Sequence, residues 1–113
     1  IATSNNRDLA EAGLSNNGVY EYMDSFWTAC EAKAGKPNPA VYLCVARDLG
    51  VEPSKCLVFE DVPMGILAGK NAGMKVCAVD DAFSAAQEAK KRELADYYIR
   101  DYFDIKNKTY EVL

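Results

Sequence analysis

The 113-residue chain contains no histidine. That removes imidazole general bases, Ser-His-Asp and Cys-His catalysis, and His-ligated zinc from within this sequence. Its four cysteines, Cys30, Cys44, Cys56 and Cys77, form no C-x-x-C pair and each sits in an apolar context. Such spacing suits neither a zinc site nor a disulfide framework. Reduced core thiols are expected, and with them a cytoplasmic setting. No apolar run approaches the ~18 residues of a membrane span, and no signal peptide is visible. Positive charge is also scarce: Lys+Arg total 13 against 17 Asp+Glu, for a net charge of −4. This argues against general binding to nucleic acid or to an anionic membrane, both of which need a basic surface. A small phosphorylated ligand stays open, because one pocket lysine can serve it. Internal repeats and low-complexity segments are absent.

Half of the residues are apolar, enough for one domain with a real core and not for two. Residues 1–3 read as the end of a buried strand, and Ser4 or Asn5 as the cap of a helix running to about Asn16. Ser25 to Thr28 is a short strand candidate. A helix from about Pro39 to Leu49 places Val41, Cys44, Val45 and Leu49 on one face, and Gly50 ends it. Cys56 to Phe59 is a continuous apolar run, expected of a strand covered on both faces. Pro63 opens the next helix, whose Gly65, Ala68, Gly69 and Ala72 form a small-residue face, and Gly73 closes it.

Lys75 to Val79 is another strand. Ser84 with Gln87 reads as a capping box opening a helix to about Ala95, and Tyr97 to Ile99 as a last strand. The tail from Asp101 is expected at the surface, anchored by Tyr102, Phe103 and Ile105. Strands and helices alternate, which predicts an α/β fold of right-handed parallel βαβ units. Such sheets bind ligands beyond the carboxyl ends of their strands.

Three polar clusters stand near those ends: Thr3-Ser4-Asn5, Gly35-Lys36-Pro37-Asn38-Pro39, and Glu60-Asp61. Each has an ordinary reading, as a helix start, a solvated loop lysine, and a strand end with a helix cap. Each also has a chemical one. Free amides and a hydroxyl at a helix start can hold phosphate oxygens. A lysine between Gly35 and two prolines sits on a restricted backbone and can place its charge at a fixed point. Adjacent carboxylates repel, and a cation removes that penalty; Mg2+ favours one or two carboxylates plus water and phosphate oxygens. Asp80-Asp81 also follows a strand and reads as a helix start.

In this order, the hydroxyl, Gly35-Lys36-Pro37-Asn38-Pro39, and the stretch from Leu57-Val58-Phe59-Glu60-Asp61 to Gly73-Met74 resemble the haloacid dehalogenase superfamily of phosphatases. The likeness is to its β-phosphoglucomutase-like branch, which includes sugar-phosphate phosphatases, and it extends to about Asp104. It implies a Rossmann-like three-layer sandwich with a mostly parallel sheet. It implies Mg2+ as cofactor and a small phosphorylated metabolite as partner, with neither nucleic acid nor membrane. By position, Thr3 would bind the transferring phosphoryl group with Ser4 and Asn5. Lys36 would bridge phosphate and nucleophile, and Glu60 and Asp61 would hold the metal, Asp61 directly. The family's Asp-x-Asp nucleophile strand and helical cap are not in this sequence. Residues 1–113 are therefore expected to be the C-terminal part of the core domain, its second to fourth motifs, with the rest upstream.

The function implied is Mg2+-dependent phosphoryl transfer from a phosphomonoester through an aspartyl-phosphate formed on an upstream Asp. Two alternatives stand beside it: a β-phosphoglucomutase-type phosphohexomutase, and a non-catalytic phosphate-binding or receiver-like signalling domain.

Overall fold

The computed structural model describes residues 1–113. Strand β1 (Ala2–Thr3) pairs in parallel with β2 (Trp27–Thr28), so that Thr3 faces Thr28. A second sheet has the order β3 (Leu57–Glu60), β4 (Lys75–Val79), β5 (Tyr97–Ile99) and β6 (Glu111–Val112). Its first three strands are parallel and β6 is antiparallel. Between them run α1 (Arg7–Asn16), α2 (Ala40–Leu49), α3 (Pro63–Asn71), α4 (Glu88–Leu94) and α5 (Phe103–Asn107). The α/β class and its mostly parallel strands are as expected. The strands, however, fall into two sheets rather than one.

The core lies on one face of the larger sheet. Val41, Tyr42 and Ala46 of α2 and Ile66 and Ala68 of α3 meet Val58, Val76, Ala78 and Tyr98. Val41, Ile66 and Val76 are wholly buried, and each such side chain contributes about 1.5–3 kcal/mol. The small face of α3 lets it lie close: a Cβ on Gly69 would fall 2.7 Å from Val76 Cγ2.

The opposite face differs from expectation. Leu57 and Phe59 remain 49% and 36% exposed, so β3 is covered on one side only. Here Cys56, Leu57, Phe59, Cys77, Tyr97 and Ile99 line an apolar trough of about 350 Å3. A groove of about 530 Å3 separates β1 from β3. Leu49 belongs to its wall and is exposed, although helical periodicity places it inward.

Other boundaries shift for local reasons. Asn6, not Ser4 or Asn5, caps α1, its side chain accepting the Asp8 and Leu9 amides. Asp81, not Ser84, caps the short 3-10 turn Ala82–Gln87 that precedes α4. The tail is held differently from its expected anchors. Tyr102, Phe103 and Ile105 stay exposed, while buried Asp104 takes Arg100 and Thr109 and β6 pairs with β5. All four cysteines are free thiols, and burial pushes Cys77 up to about 11. No helix is long and apolar enough to cross a membrane.

Candidate active site

The carboxyl ends of β1 and β3 open on the same side. Between them lies a cleft of about 530 Å3 whose walls include Thr3, Ser4, Asn5, Lys36, Glu60 and Asp61. All six residues singled out in the sequence therefore converge. Thr3 ends β1, and its Oγ1 accepts the Asn5 amide at 3.0 Å. This leaves the hydroxyl proton free and turns the chain so that Ser4 and Asn5 lie exposed at the mouth.

Lys36 arrives from a tied loop. The Asn38 amide donates to the Gly35 carbonyl at 3.0 Å, and Asn71 Nδ2 donates to the Pro37 carbonyl at 3.1 Å. The loop folds over the strand end, as the site requires. Lys36 Nζ pairs with Glu60 Oε1 and lies 3.5 Å from the Ala2 carbonyl, so it spans the two sheets.

Glu60 is 8% exposed. Its Oε1 accepts from both Lys36 Nζ and the Tyr42 hydroxyl. Gly65 leaves the space it occupies: a Cβ there would fall 2.1 Å from Glu60 Oε2. Burial, then the Glu60 charge, holds the Tyr42 hydroxyl far above its ordinary range, so it stays a donor. In this geometry Glu60 fixes the lysine.

Asp61 is its opposite. The residue is exposed, its carboxylate has no protein partner, and only its backbone carbonyl is engaged, by Ser84 Oγ.

Sequence reasoning missed four contributors. Tyr42 lies on the core-facing side of α2, where an aromatic ring with a polar tip is a signal of a buried partner. Asp80 and Asp81 line the same cleft. Asp81 does start a helical turn, as read, by accepting the Ser84 amide at 3.1 Å. Burial, and then the neighbouring Asp80 carboxylate, push the Tyr98 hydroxyl up to about 12. Tyr102 closes one side, its ring 5.5 Å from that of Phe59.

The cleft thus holds the carboxylates of Glu60, Asp61, Asp80 and Asp81 against the single ammonium of Lys36. A divalent cation would relieve that excess, and hard oxygen donors suit Mg2+. No group of three such side chains converges to cage an ion unaided. The donor set fits an ion held through Asp61 and completed by water and phosphate oxygens.

Residues 1–79 match the model of the haloacid dehalogenase-like hydrolase family. The chain belongs to that family. It is 36% identical over 106 residues to validoxylamine A 7'-phosphate phosphatase of Streptomyces hygroscopicus subsp. limoneus, covering 94% of this chain and 48% of the relative. It is 39% identical over 74 residues to fructose-1-phosphate phosphatase YqaB of Escherichia coli, covering 66% and 39%. The chain thus spans about half, or less, of these relatives' length. Among solved structures, β-phosphoglucomutase of Clostridium difficile superposes with a TM-score of 0.73 at 26% identity, covering 96% of this chain and 48% of that one. The family's Rossmann-like core accounts for the alternation of parallel strands and helices seen here.

Proposed function

We propose that the protein is a Mg2+-dependent phosphatase of small phosphomonoesters such as sugar phosphates, and that this chain supplies the phosphate- and metal-side half of its active site. The carrying observation is the meeting of Thr3, Lys36 and Asp61 at one cleft from three separate segments. The Thr3 hydroxyl and the Ser4 amide bind the phosphoryl oxygens, with the Asn5 side chain beside them. Lys36, held by Glu60, neutralises charge on the transferring group. Asp61 would hold Mg2+, with Glu60 beside it as a second carboxylate. When bound, the ion supplies charge stabilisation at the phosphoryl oxygens.

The nucleophile is an Asp on a strand upstream of Ile1, which attacks in line to form an aspartyl-phosphate that water then hydrolyses. The groove between β1 and β3 supports this reading. Both strands present a free edge to it, its walls are apolar, and a parallel strand seated there would end at the cleft.

The test uses the full-length protein on a panel of sugar phosphates that includes β-glucose 1-phosphate. Inorganic phosphate should appear with Mg2+ and stop with a chelator. Likeness to a β-phosphoglucomutase favours a second reading, phosphohexomutase, which would give the isomeric sugar phosphate instead. A stable phosphoprotein without turnover would sink both.

A further inference from the structure

Lys91 has no place in the chemistry above, yet it is the largest wholly buried side chain in the protein. It stands on α4 and donates from Nζ to the Val79 carbonyl and to Ser84 Oγ, both at 3.0 Å. No carboxylate is bonded to it. Ser84, 3% exposed, gives its own proton to the Asp61 carbonyl at 2.7 Å. A hydroxyl has one proton to donate, so the direction is fixed from Lys91 to Ser84 to Asp61. The Ser84 amide meanwhile donates to Asp81 Oδ2 at 3.1 Å. One buried serine therefore joins the loop after β3 to the turn after β4, and a buried ammonium sets its orientation.

Packing alone does not account for this arrangement. An ammonium without a paired anion is costly to bury, and an apolar side chain would fill the same space without that cost. The carbonyl at the end of the chain of bonds belongs to the residue whose carboxylate is unpaired at the cleft.

We infer that Ser84, oriented by Lys91, is a positioning residue for the divalent-metal site: it holds the Asp61 backbone so that the Asp61 carboxylate faces the ion. This rests on the reading of Asp61 as a metal ligand. Groups that hold a ligand from behind commonly tune metal affinity ten- to a hundredfold.

The experiment is isothermal titration of Mg2+ into the full-length protein and its Ser84→Ala, Asp61→Asn and doubly substituted forms. Ser84→Ala should weaken Mg2+ binding about tenfold. At saturating Mg2+ its kcat should return to within about twofold of the parent. In the Asp61→Asn background the same change should shift affinity by less than about twofold, because the ligand it positions is gone. Should Ser84→Ala fail to fold, Ser84→Cys, with a weak donor at the same point, carries the test. Unchanged Mg2+ affinity on replacing Ser84, or an equal loss in both backgrounds, would overturn the inference. Unchanged affinity in Asp61→Asn alone would overturn the ligand reading beneath it instead.

Discussion

Glu60 and Asp61 are neighbours in sequence, and they head two different walls of the cleft. Glu60 is sunk against Gly65 with Lys36 and Tyr42 on its carboxylate. Asp61 lies open, held only by its backbone. Alternation along an extended segment sends adjacent side chains in opposite directions, and here that alternation separates two tasks. The buried carboxylate fixes the Lys36 ammonium. The open one has its oxygens unpaired, as the proposed metal site needs. A pair of acidic residues at a strand end can thus be an anchor and a ligand rather than two ligands.

The comparison breaks most sharply at Lys36. Lys36→Ala in the full-length protein should lower kcat at least ~10²-fold, the scale for losing one preorganised electrostatic contact. The steady-state rate of phosphate release measures it.

Gly65→Ala tests the buried wall alone. Its Cβ would overlap the Glu60 carboxylate, and overpacking of this kind costs about 1–3 kcal/mol. A urea titration should show a lower midpoint, with Mg2+ affinity much less affected than stability.

Tyr42→Phe is the mildest change. It removes one buried hydrogen bond at a cost of about 1–2 kcal/mol. It also alters the response to alkali. The Tyr42 hydroxyl titrates near 10 when unfolded and is held higher when folded. Stability from this group is complete below that ordinary value and falls as pH rises above it. Melting temperatures of wild type and Tyr42→Phe should therefore converge above pH ~10. Parallel curves would mean that Tyr42 is not held against Glu60.

The convergence of Thr3, Lys36 and Asp61 was legible in the sequence because each lies near a strand end and their order along the chain resembles that of one family. Taken singly, a hydroxyl at a strand end, a lysine between Gly35 and two prolines and a carboxylate two residues before an N1 proline each have an ordinary reading; their order along the chain is what sets them together. Ser84 was not legible. Its spacing to Gln87 imitates a capping box, but the Asp81 carboxylate three residues earlier takes the cap and frees the serine hydroxyl for Asp61. Leu49, Leu57 and Phe59 misled for another reason. Helical periodicity marks Leu49 as inward and a continuous apolar run marks Leu57 and Phe59 as covered on both faces, but burial depends on what lies against them. In the tail, Asp104 gathers Arg100 and Thr109 and is buried, where apolar Tyr102 and Phe103 were the expected anchors. A carboxylate whose pKa those partners hold well below the ordinary range is easy to miss in a scan for apolar residues.

The most direct test of the central claim is phosphate release by full-length Asp61→Ala across a range of Mg2+ concentrations. A fall in kcat of at least ~10²-fold is expected. Near-normal turnover by the folded variant would contradict the assignment of Asp61, and with it the division between the two walls.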